Sequence, residues 1–301
     1  MSLIEQAAKR LEELKRAGVE LPMDVIGQHI ERNTVGSVME AMRPTPAVEN
    51  VPPPPAVEIP ISKSVDIDLN RLGSAGYLVP DLPRSQLADE FRVIKRPLLT
   101  NVQGKSATPV ERANLIMVTS SLPGEGKTFV SVNLALSIAL ELDTRVLLVE
   151  ADSSRPATVA RLGLPASKGL LDILADPDLP MSDVLLRTNI DKLSVLPVGT
   201  TSGQATELLA SAAMQRLLDE MATRYPDRVV IFDSPPLLPT PEARALATHM
   251  GQVVMVVEAT KTAQGTVAQA LEMLEECPVV MTVLNKTRSM NAGSNFAYYA
   301  Y

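Results

Sequence analysis

The chain has 301 residues, of which 46% are hydrophobic, enough to bury the core of one large or two modest domains. Its formal net charge of −7 argues against nonspecific attraction of the whole chain to nucleic acid or to anionic lipid. Aromatic residues make up 3% and tryptophan is absent, so stacking of nucleic-acid bases on aromatic side chains is poorly supported.

The cysteine, hydropathy and histidine patterns are typical of a reduced, soluble protein. Cys277 is the only cysteine, which excludes an internal disulfide and fits a reducing cytoplasm, and we expect it to serve packing. There is no run of 18 apolar residues and no apolar signal-peptide core, so we expect a cytoplasmic protein without a membrane span. His29 and His249 lack metal-ligand spacing and are interpreted as ordinary surface or core residues.

Residues 1–84 are predicted to form an N-terminal amphipathic helix followed by a Pro-rich linker. Ser2 and Glu5 make a capping box, Gly18 supplies a stop, and apolar residues recur at helical spacing before it. The mixed charges on its polar side favour binding to a partner helix, self-association or docking on the protein's own domain over binding to a membrane surface. Residues 44–60 are proline-rich and predict an extended linker, and we expect no regular structure between residues 61 and 80.

From about residue 85 the pattern becomes that of an α/β domain, which we place at residues 85–288. Residues 86–99 have helical spacing, and six short apolar runs alternate with helix-like segments: 115–119, 146–149, 193–198, 229–232, 253–257 and 279–284. Near-continuous Val, Ile and Leu runs are typical of strands buried on both faces of a parallel sheet. The sequence therefore predicts a three-layer αβα domain with a mostly parallel sheet and a ligand at the carboxyl ends of its strands.

Residues 121–128, Ser-Leu-Pro-Gly-Glu-Gly-Lys-Thr, have the pattern of a phosphate-binding P-loop between a predicted strand and a predicted helix. Gly124 and Gly126 let main-chain N–H groups turn toward phosphate oxygens, because neither carries a Cβ. Lys127 would reach the β- and γ-phosphates, and the Thr128 hydroxyl would hold Mg²⁺. Ser121 stands where the first glycine of the motif is usual. The predicted nucleotide-binding residues are Ser121, Pro123, Gly124, Glu125, Gly126, Lys127, Thr128 and Phe129.

Acidic residues follow two other predicted strands, at the edge of the sheet where the P-loop begins. Glu150 and Asp152 come directly after one strand, and Asp233 after another. Carboxylates in this position hold water ligands of Mg²⁺ or accept a proton from an attacking hydroxyl, although the same residues also serve as helix caps. We predict Thr128, Asp152 and Asp233 as metal-binding residues. Arg155 would neutralise phosphate charge or pair with a neighbouring acid.

Three of the five tyrosines lie in the last four residues, at Tyr298, Tyr299 and Tyr301. Residues 289–301 have no apolar periodicity, and we predict a disordered, flexible tail. A tail rich in Asn, Ala, Gly and Ser cannot bury three phenols, so packing within the tail does not explain them. The two remaining interpretations are phosphoacceptors presented to an active site and a tail that docks into a groove.

These motifs resemble those of the bacterial tyrosine kinases, the autophosphorylating P-loop kinases of polysaccharide export. The loop at 121–128, the strand end at Glu150 and Asp152, and Asp233-Ser-Pro-Pro are similar to that family's Walker A, A′ and B motifs. The resemblance covers residues 85–301 and looks closest to the exosortase-associated autokinases. Two departures are visible, because the family usually has aspartate where Glu150 stands and arginine where Ser154 stands.

The resemblance implies ATP and Mg²⁺ as cofactors and Lys127, Asp152, Glu150 and Arg155 as catalytic residues, with Glu150 or Asp152 orienting the tyrosine hydroxyl. It implies transfer of the ATP γ-phosphate to Tyr298, Tyr299 and Tyr301. Glu90, Phe91 and Arg92 are similar to the family's oligomerisation helix, so a homo-oligomer is expected. The family also implies a partner on a separate chain, a membrane chain-length-determinant or polysaccharide co-polymerase protein, which would recruit this protein to the inner face of the membrane.

Three other classes remain open at this point. A partitioning or cell-division ATPase of the same fold would carry a lysine where Leu122 stands and would lack the terminal tyrosines. A GTPase would need an aspartate where Arg288 follows Asn285-Lys286, and Asn285 would instead contact adenine. The third class is a nucleotide-gated assembly protein with little kinase activity.

Overall fold

The computed structural model describes residues 63–80, 85–224 and 228–287. The predicted N-terminal helix, most of the Pro-rich linker, and the predicted tail with Tyr298, Tyr299 and Tyr301 lie outside these residues. Within the described ranges, no helix is long and apolar enough to cross a bilayer.

One mostly parallel sheet forms the centre of the described chain. Its eight strands are β1 (Lys63–Val65), β2 (Leu115–Ser120), β3 (Arg145–Glu150), β4 (Leu186–Thr188), β5 (Leu193–Leu196), β6 (Arg228–Asp233), β7 (Gln252–Glu258) and β8 (Val280–Asn285). They are arranged in the order β1-β4-β5-β3-β6-β2-β7-β8, and among these neighbours only β4 and β5 run antiparallel. The predicted sheet is thereby confirmed.

The helices connect the strands and cover both faces of the sheet. In the described residues they are α1 (Leu69–Ser74), α2 (Gln86–Val102), α3 (Lys127–Ala139), α4 (Thr158–Leu162), α5 (Leu170–Ala175), α6 (Met181–Val184), α7 (Ala205–Leu209), α8 (Ala212–Arg224), α9 (Pro241–Ala247) and α10 (Gln264–Glu272). Alternate residues of the central strands face opposite layers. Ile116 and Val118 pack in the same core cluster as α3, whereas Leu115 and Met117 pack with α8 and α9.

All six predicted strands are present, but the expectation of irregular chain between residues 61 and 80 is wrong. This segment contains β1 and α1, and the prediction also missed β4. Both missed strands have three residues, too few to show a period in the sequence. Asn189, just after β4, accepts a hydrogen bond from Ile67 N (2.9 Å) and donates one to Ile67 O (3.1 Å), which fixes the segment beside the sheet.

We call residues 63–80 the strap, because they run from the β1 edge of the sheet across to α3. Leu78 N donates to Asn133 Oδ1 on α3 at 2.7 Å. The ring of Tyr77 lies 5.2 Å from that of Phe129, centre to centre. On its other side, Arg71 donates to the Ala160 carbonyl in α4 at 3.5 Å. The strap therefore contacts both the helix that begins at Lys127 and the helix that follows the Glu150 strand.

The lone thiol serves packing, as predicted. Cys277 is half-buried and its Sγ donates to the Ala247 carbonyl at 3.3 Å. It lies before β8, at the end of that strand remote from the P-loop. Burial raises the pKa of the Cys277 thiol, so the thiolate is disfavoured there.

Candidate active site

The P-loop connects β2 to α3, and its neighbours β6 and β7 hold its base. The chain after β6 runs alongside the end of β2: Leu237 N donates to Ser120 O at 2.8 Å, and the Thr119 hydroxyl donates to Pro235 O at 2.8 Å. Ser234 donates from its hydroxyl to Val118 O, also at 2.8 Å. The predicted Asp233-Ser-Pro-Pro segment is thus joined to the strand that carries the P-loop.

The glycine turn has the backbone that a phosphate cradle requires. Gly124 has φ +90° and Gly126 has φ +101°, values that residues with a Cβ rarely adopt. Gly126 is the N-cap of α3, so the first free N–H groups of this 13-residue helix point out of the turn together with the positive end of its dipole. A Cβ on Gly126 would lie 2.1 Å from Asn285 Nδ2, so the turn admits only glycine there.

The buried side chain of Glu125 stabilises the loop through hydrogen bonds to the protein interior. This side chain is 2% exposed, and its Oε2 accepts a hydrogen bond from Leu122 N at 2.7 Å. Its Oε1 accepts from Glu258 N at 3.4 Å and from the Thr262 hydroxyl. The carboxylate therefore points into the protein, and only the main chain of Glu125 is placed for the predicted contact with nucleotide.

The end of β8 supports the same loop. Asn285 Nδ2 donates to Glu125 O at 2.9 Å, and Lys286 Nζ donates to Gly124 O at 2.7 Å. Lys286 also lies 3.2 Å from the Glu258 carboxylate, which pairs with Lys261 at the same distance. Burial is the largest single effect and raises the pKa of Glu258, but the combined hydrogen bonds and charges of Lys286 and Lys261 hold that pKa below its usual range. The predicted contact of Asn285 with adenine remains a prediction.

Two predicted functional residues, Lys127 and Asp152, form an ion pair. Lys127 Nζ lies 2.8 Å from Asp152 Oδ2, and the two side chains are 12% and 4% exposed. The other oxygen, Oδ1, accepts from Arg155 N at 3.0 Å, which orients the carboxylate. The Arg155 side chain itself is exposed.

Asp233 lies at the centre of a set of hydroxyl groups. Its Oδ2 accepts from the Thr158 hydroxyl at 2.6 Å and its Oδ1 from the Ser131 hydroxyl at 3.1 Å. Burial raises the pKa of Asp233, while the Thr158, Thr128 and Ser131 hydroxyls and the positive charge of Lys127 act in the opposite direction. The structure thus brings together Thr128, Asp152 and Asp233, as predicted from the sequence.

The donor chemistry of these three residues fits Mg²⁺. Two carboxylates and one hydroxyl are hard oxygen ligands, which Mg²⁺ prefers, and it usually completes its shell with water and phosphate oxygens. Within the described residues, no group of three or more His, Cys, Asp or Glu side chains could hold a metal ion without such help. A metal here would therefore depend on the nucleotide phosphates.

Glu150 is turned away from the loop. The side chain is 2% exposed; Oε1 accepts from Val159 N and Oε2 from Val198 N, each at 3.2 Å. Burial raises the pKa of Glu150, with Asp233 adding to the rise, although the amide hydrogen bonds lower it. Both oxygens are directed at main-chain amides, which differs from the orientation expected of a proton acceptor for a substrate hydroxyl.

Two other predicted contact residues present their side chains to the protein. The Ser121 hydroxyl is fully buried and has no hydrogen-bond partner among the described residues. The Phe129 ring is half-buried and packs with Tyr77 and with Phe91, whose ring centre lies 6.5 Å away. Any contact of Phe129 with nucleotide would therefore be made by its main chain.

The sequence prediction missed several residues that shape the site. Ser131 follows Lys127 by four positions and so shares its helix face, a spacing that could have indicated a contact. Thr158, Thr262 and Lys286 reach the site from distant elements, and their contacts depend on the fold.

The predicted oligomerisation residues on α2 divide into two kinds. Phe91 is 3% exposed and belongs to the core. Glu90 and Arg92 are exposed; Glu90 accepts a hydrogen bond from Gln86, and Arg92 pairs with Asp89. Only the two charged members of the predicted set are therefore on the surface.

Comparison with known proteins agrees with this geometry. A family model described as AAA domain matches residues 113–286. The tyrosine-protein kinase YwqD of Bacillus subtilis is 29% identical over 218 residues, covering 72% of this chain and 88% of that protein. The succinoglycan biosynthesis transport protein ExoP of Rhizobium meliloti is 32% identical over 217 residues, covering 70% of this chain and 26% of that protein.

A solved structure has the same fold. The BceF tyrosine kinase domain has a TM-score of 0.56 and 25% sequence identity, with 73% of this chain and 91% of that chain covered. The family model covers more than half of the chain, and the matched region includes the P-loop, Asp152 and Asp233. The chain therefore belongs to the AAA domain family and, within it, to the bacterial P-loop tyrosine kinases.

Proposed function

We propose that this protein is an autokinase that transfers the γ-phosphoryl group of ATP to Tyr298, Tyr299 and Tyr301 of its own chain and thereby regulates exopolysaccharide synthesis and export. The observation that carries the proposal is the convergence of Lys127, Thr128, Asp152 and Asp233 around the glycine turn. Phosphoryl transfer depends mainly on positioning and charge stabilisation, which this arrangement supplies.

The residues divide the work of the transfer. The amides of the turn and of the start of α3 would hold the phosphates. The Lys127 ammonium group would break its ion pair with Asp152 and would neutralise the negative charge that develops on the transferred phosphoryl group. Thr128 and Asp233 would hold Mg²⁺, with Asp152 beside them. When bound, this ion supplies further neutralisation of phosphate charge. A phenolic oxygen forms the new P–O bond as the bond to ADP breaks, and the phenolic proton passes to the Asp152 carboxylate.

We propose adenine as the base, since Arg288 stands where a guanine-reading aspartate would be required. Asn285, fixed by its hydrogen bond to Glu125 O, would lie at the base side of the loop. The side-chain oxygen of Asn285 would accept a hydrogen bond from the adenine amino group. Guanine has a carbonyl oxygen at that position, which would repel the Asn285 oxygen.

We further propose a partner on a separate chain, a membrane chain-length-determinant or polysaccharide co-polymerase protein, that recruits this chain to the inner face of the membrane. ExoP, named for succinoglycan transport, is about four times as long as the region that matches, so its remaining part could supply such a function on one chain. Glu90 and Arg92 would contribute to a homo-oligomer in which a tail reaches a neighbouring site.

The test is incubation of the full chain with labelled ATP and Mg²⁺, with and without the membrane partner, followed by mapping of phosphorylated residues by mass spectrometry. Phosphate on residues 298–301 supports the kinase. Rapid release of free phosphate without labelled protein would indicate a partitioning-type ATPase. Nucleotide binding without turnover, with the partner present, would indicate a nucleotide-gated assembly protein.

A further inference from the structure

We propose that Glu150 is a positioning residue, which fixes the magnesium-binding carboxylate of Asp233 through the first turn of α4, and that it does not take the tyrosine proton. The inference rests on the proposed function of the site. It assigns separate tasks to Glu150, the last residue of β3, and to Asp152, which follows that strand.

Glu150 joins two loops that are far apart in sequence. The amides that it binds belong to Val159, nine residues further along the chain, and to Val198, 48 residues further. Val159 lies in the first turn of α4, and Val198 follows β5. Each amide lies within hydrogen-bond distance of a different Glu150 oxygen, so Glu150 ties both segments to the end of β3.

Thr158 transmits this placement to Asp233. It immediately precedes Val159 and donates its hydroxyl to Asp233 Oδ2 at 2.6 Å. The Ser131 hydroxyl lies 3.1 Å from the other oxygen and 2.8 Å from the Lys127 carbonyl. The Thr158 hydroxyl on α4 therefore makes the shorter of the two hydroxyl contacts to the Asp233 carboxylate. Without the Glu150 bond to Val159, the first turn of α4 would shift and the Thr158 hydroxyl would move with it.

The register of the sheet explains why this connection is short. Glu150 and Asp233 are paired residues of the neighbouring parallel strands β3 and β6. Beyond them, the amides of Ala151 and Asp152 both donate to the Asp233 carbonyl, at 2.8 and 3.1 Å. The main chain of Asp233 is therefore fixed by β3, and its side chain is fixed by the helix that Glu150 holds.

The length of the side chain suits this role. Glutamate reaches amides at 3.2 Å on each side, whereas aspartate would retract the oxygens by about 1.5 Å, the length of one C–C bond. Such a separation is beyond hydrogen-bond reach. Asp152, by contrast, presents Oδ2 to the ammonium group of Lys127, the lysine of the P-loop.

The test compares the Glu150→Gln, Glu150→Asp and Thr158→Val variants with the wild-type protein. Tail phosphorylation is measured against Mg²⁺ concentration, and binding of a non-hydrolysable ATP analogue is measured in the same titration. We expect each variant to need about tenfold more Mg²⁺ for half-maximal signal, the lower end of typical effects of residues that orient metal ligands. At saturating Mg²⁺, kcat should return to within about tenfold of wild type, and Thr158→Ser should restore the wild-type Mg²⁺ dependence.

Asp172→Asn is the matched control. Asp172 Oδ2 also accepts two main-chain amides, from Gly169 at 2.8 Å and Thr200 at 3.0 Å, but no hydrogen bond links it to Asp233. We expect this variant to lower the thermal midpoint and to leave the Mg²⁺ dependence unchanged.

Two results would overturn the inference. The first is a Glu150→Gln protein that folds normally and has the wild-type Mg²⁺ dependence, but whose kcat at saturating Mg²⁺ stays more than a thousandfold below that of wild type. Such a loss is expected on removal of a proton acceptor. The other is unchanged Mg²⁺ dependence in all three variants. Binding of the ATP analogue does not require phosphoryl transfer. If the wild-type protein fails to label its tail, the proposed function is refuted, but the Mg²⁺ dependence of analogue binding in the variants still tests this inference.

Discussion

Lys127 Nζ lies 2.8 Å from Asp152 Oδ2, so the lysine of the P-loop and the carboxylate after β3 neutralise each other within a largely buried pair. Phosphate oxygens compete with Asp152 for the same ammonium. In the proposed mechanism, nucleotide binding would therefore release the Asp152 carboxylate to accept the phenolic proton. The ion pair would then link nucleotide binding to activation of the acceptor tyrosine.

The first prediction concerns this pair. Lys127→Met should abolish tail phosphorylation and should also lower the free energy of unfolding by about 3 kcal/mol, because it leaves a buried carboxylate without its partner. Adding Asp152→Asn should restore most of the stability but none of the activity. Chemical denaturation and phosphosite mapping measure the two effects. Full activity of the single variant would refute the role assigned to Lys127.

The second prediction concerns the acceptors. Replacing Tyr298, Tyr299 and Tyr301 together by phenylalanine should remove the phosphotyrosine signal and leave the affinity for ATP within about twofold of wild type, since the P-loop is untouched. Mass spectrometry and calorimetry provide the readouts. Undiminished labelling at Tyr77 or Tyr225 would show that the terminal tyrosines are not the acceptors.

The third prediction concerns pH. Because burial raises the folded-state pKa of Asp233 above its unfolded value, its favourable contribution to folding is complete below the usual aspartate range and is lost as pH rises through the folded pKa. In metal-free buffer, the stability of wild type relative to Asp233→Asn should therefore fall as pH rises across the acidic range. Thermal unfolding of both proteins from pH 3 to 8 measures the difference, and a constant difference would contradict it.

The fourth prediction separates the two glycines of the turn. Gly124→Ala meets open space, so only its positive φ is penalised, at about 1 kcal/mol. Gly126→Ala adds a collision with Asn285 Nδ2 and should abolish nucleotide binding, whereas Gly124→Ala should weaken it by roughly tenfold. Isothermal titration with ATP and Mg²⁺ compares them, and equal losses would show that the Asn285 contact is unimportant.

The fifth prediction concerns the predicted oligomerisation residues on α2, of which Phe91 is buried and Glu90 and Arg92 are exposed. Phe91→Ala should lower the free energy of unfolding by about 3 to 5 kcal/mol, because it empties a core site next to Phe129. Glu90→Ala with Arg92→Ala should leave the thermal midpoint nearly unchanged and should reduce oligomer mass in light scattering. An unaltered oligomer in the charge variant would exclude these residues from the interface.

The sequence was sufficient for the sheet and the phosphate turn because both have strong local patterns. Runs of Val, Ile and Leu identified every long strand, and Gly124 to Thr128 identified the turn. It was also enough to group Thr128, Asp152 and Asp233, because parallel strand ends meet at one edge of a sheet.

What could not be predicted depends on side-chain direction and on contacts between distant residues. Glu125 and Phe129 lie within the motif, yet their side chains face Thr262 and Tyr77. Whether Glu150 faces the substrate or the interior is decided by amides at Val159 and Val198, which no local pattern indicates. The short strands β1 and β4 were not predicted, because they form by pairing with other strands and have no periodic pattern in the sequence.

The strap and α2 have a practical consequence for expressing this protein in pieces. The matched family region begins at residue 113, but Leu72, Leu78, Phe91 and Leu98 belong to the same core cluster as α3. A fragment trimmed to the family boundary would expose that apolar surface to water and would be prone to aggregate. Fragments intended for crystallisation or inhibitor screening should therefore start ahead of Lys63.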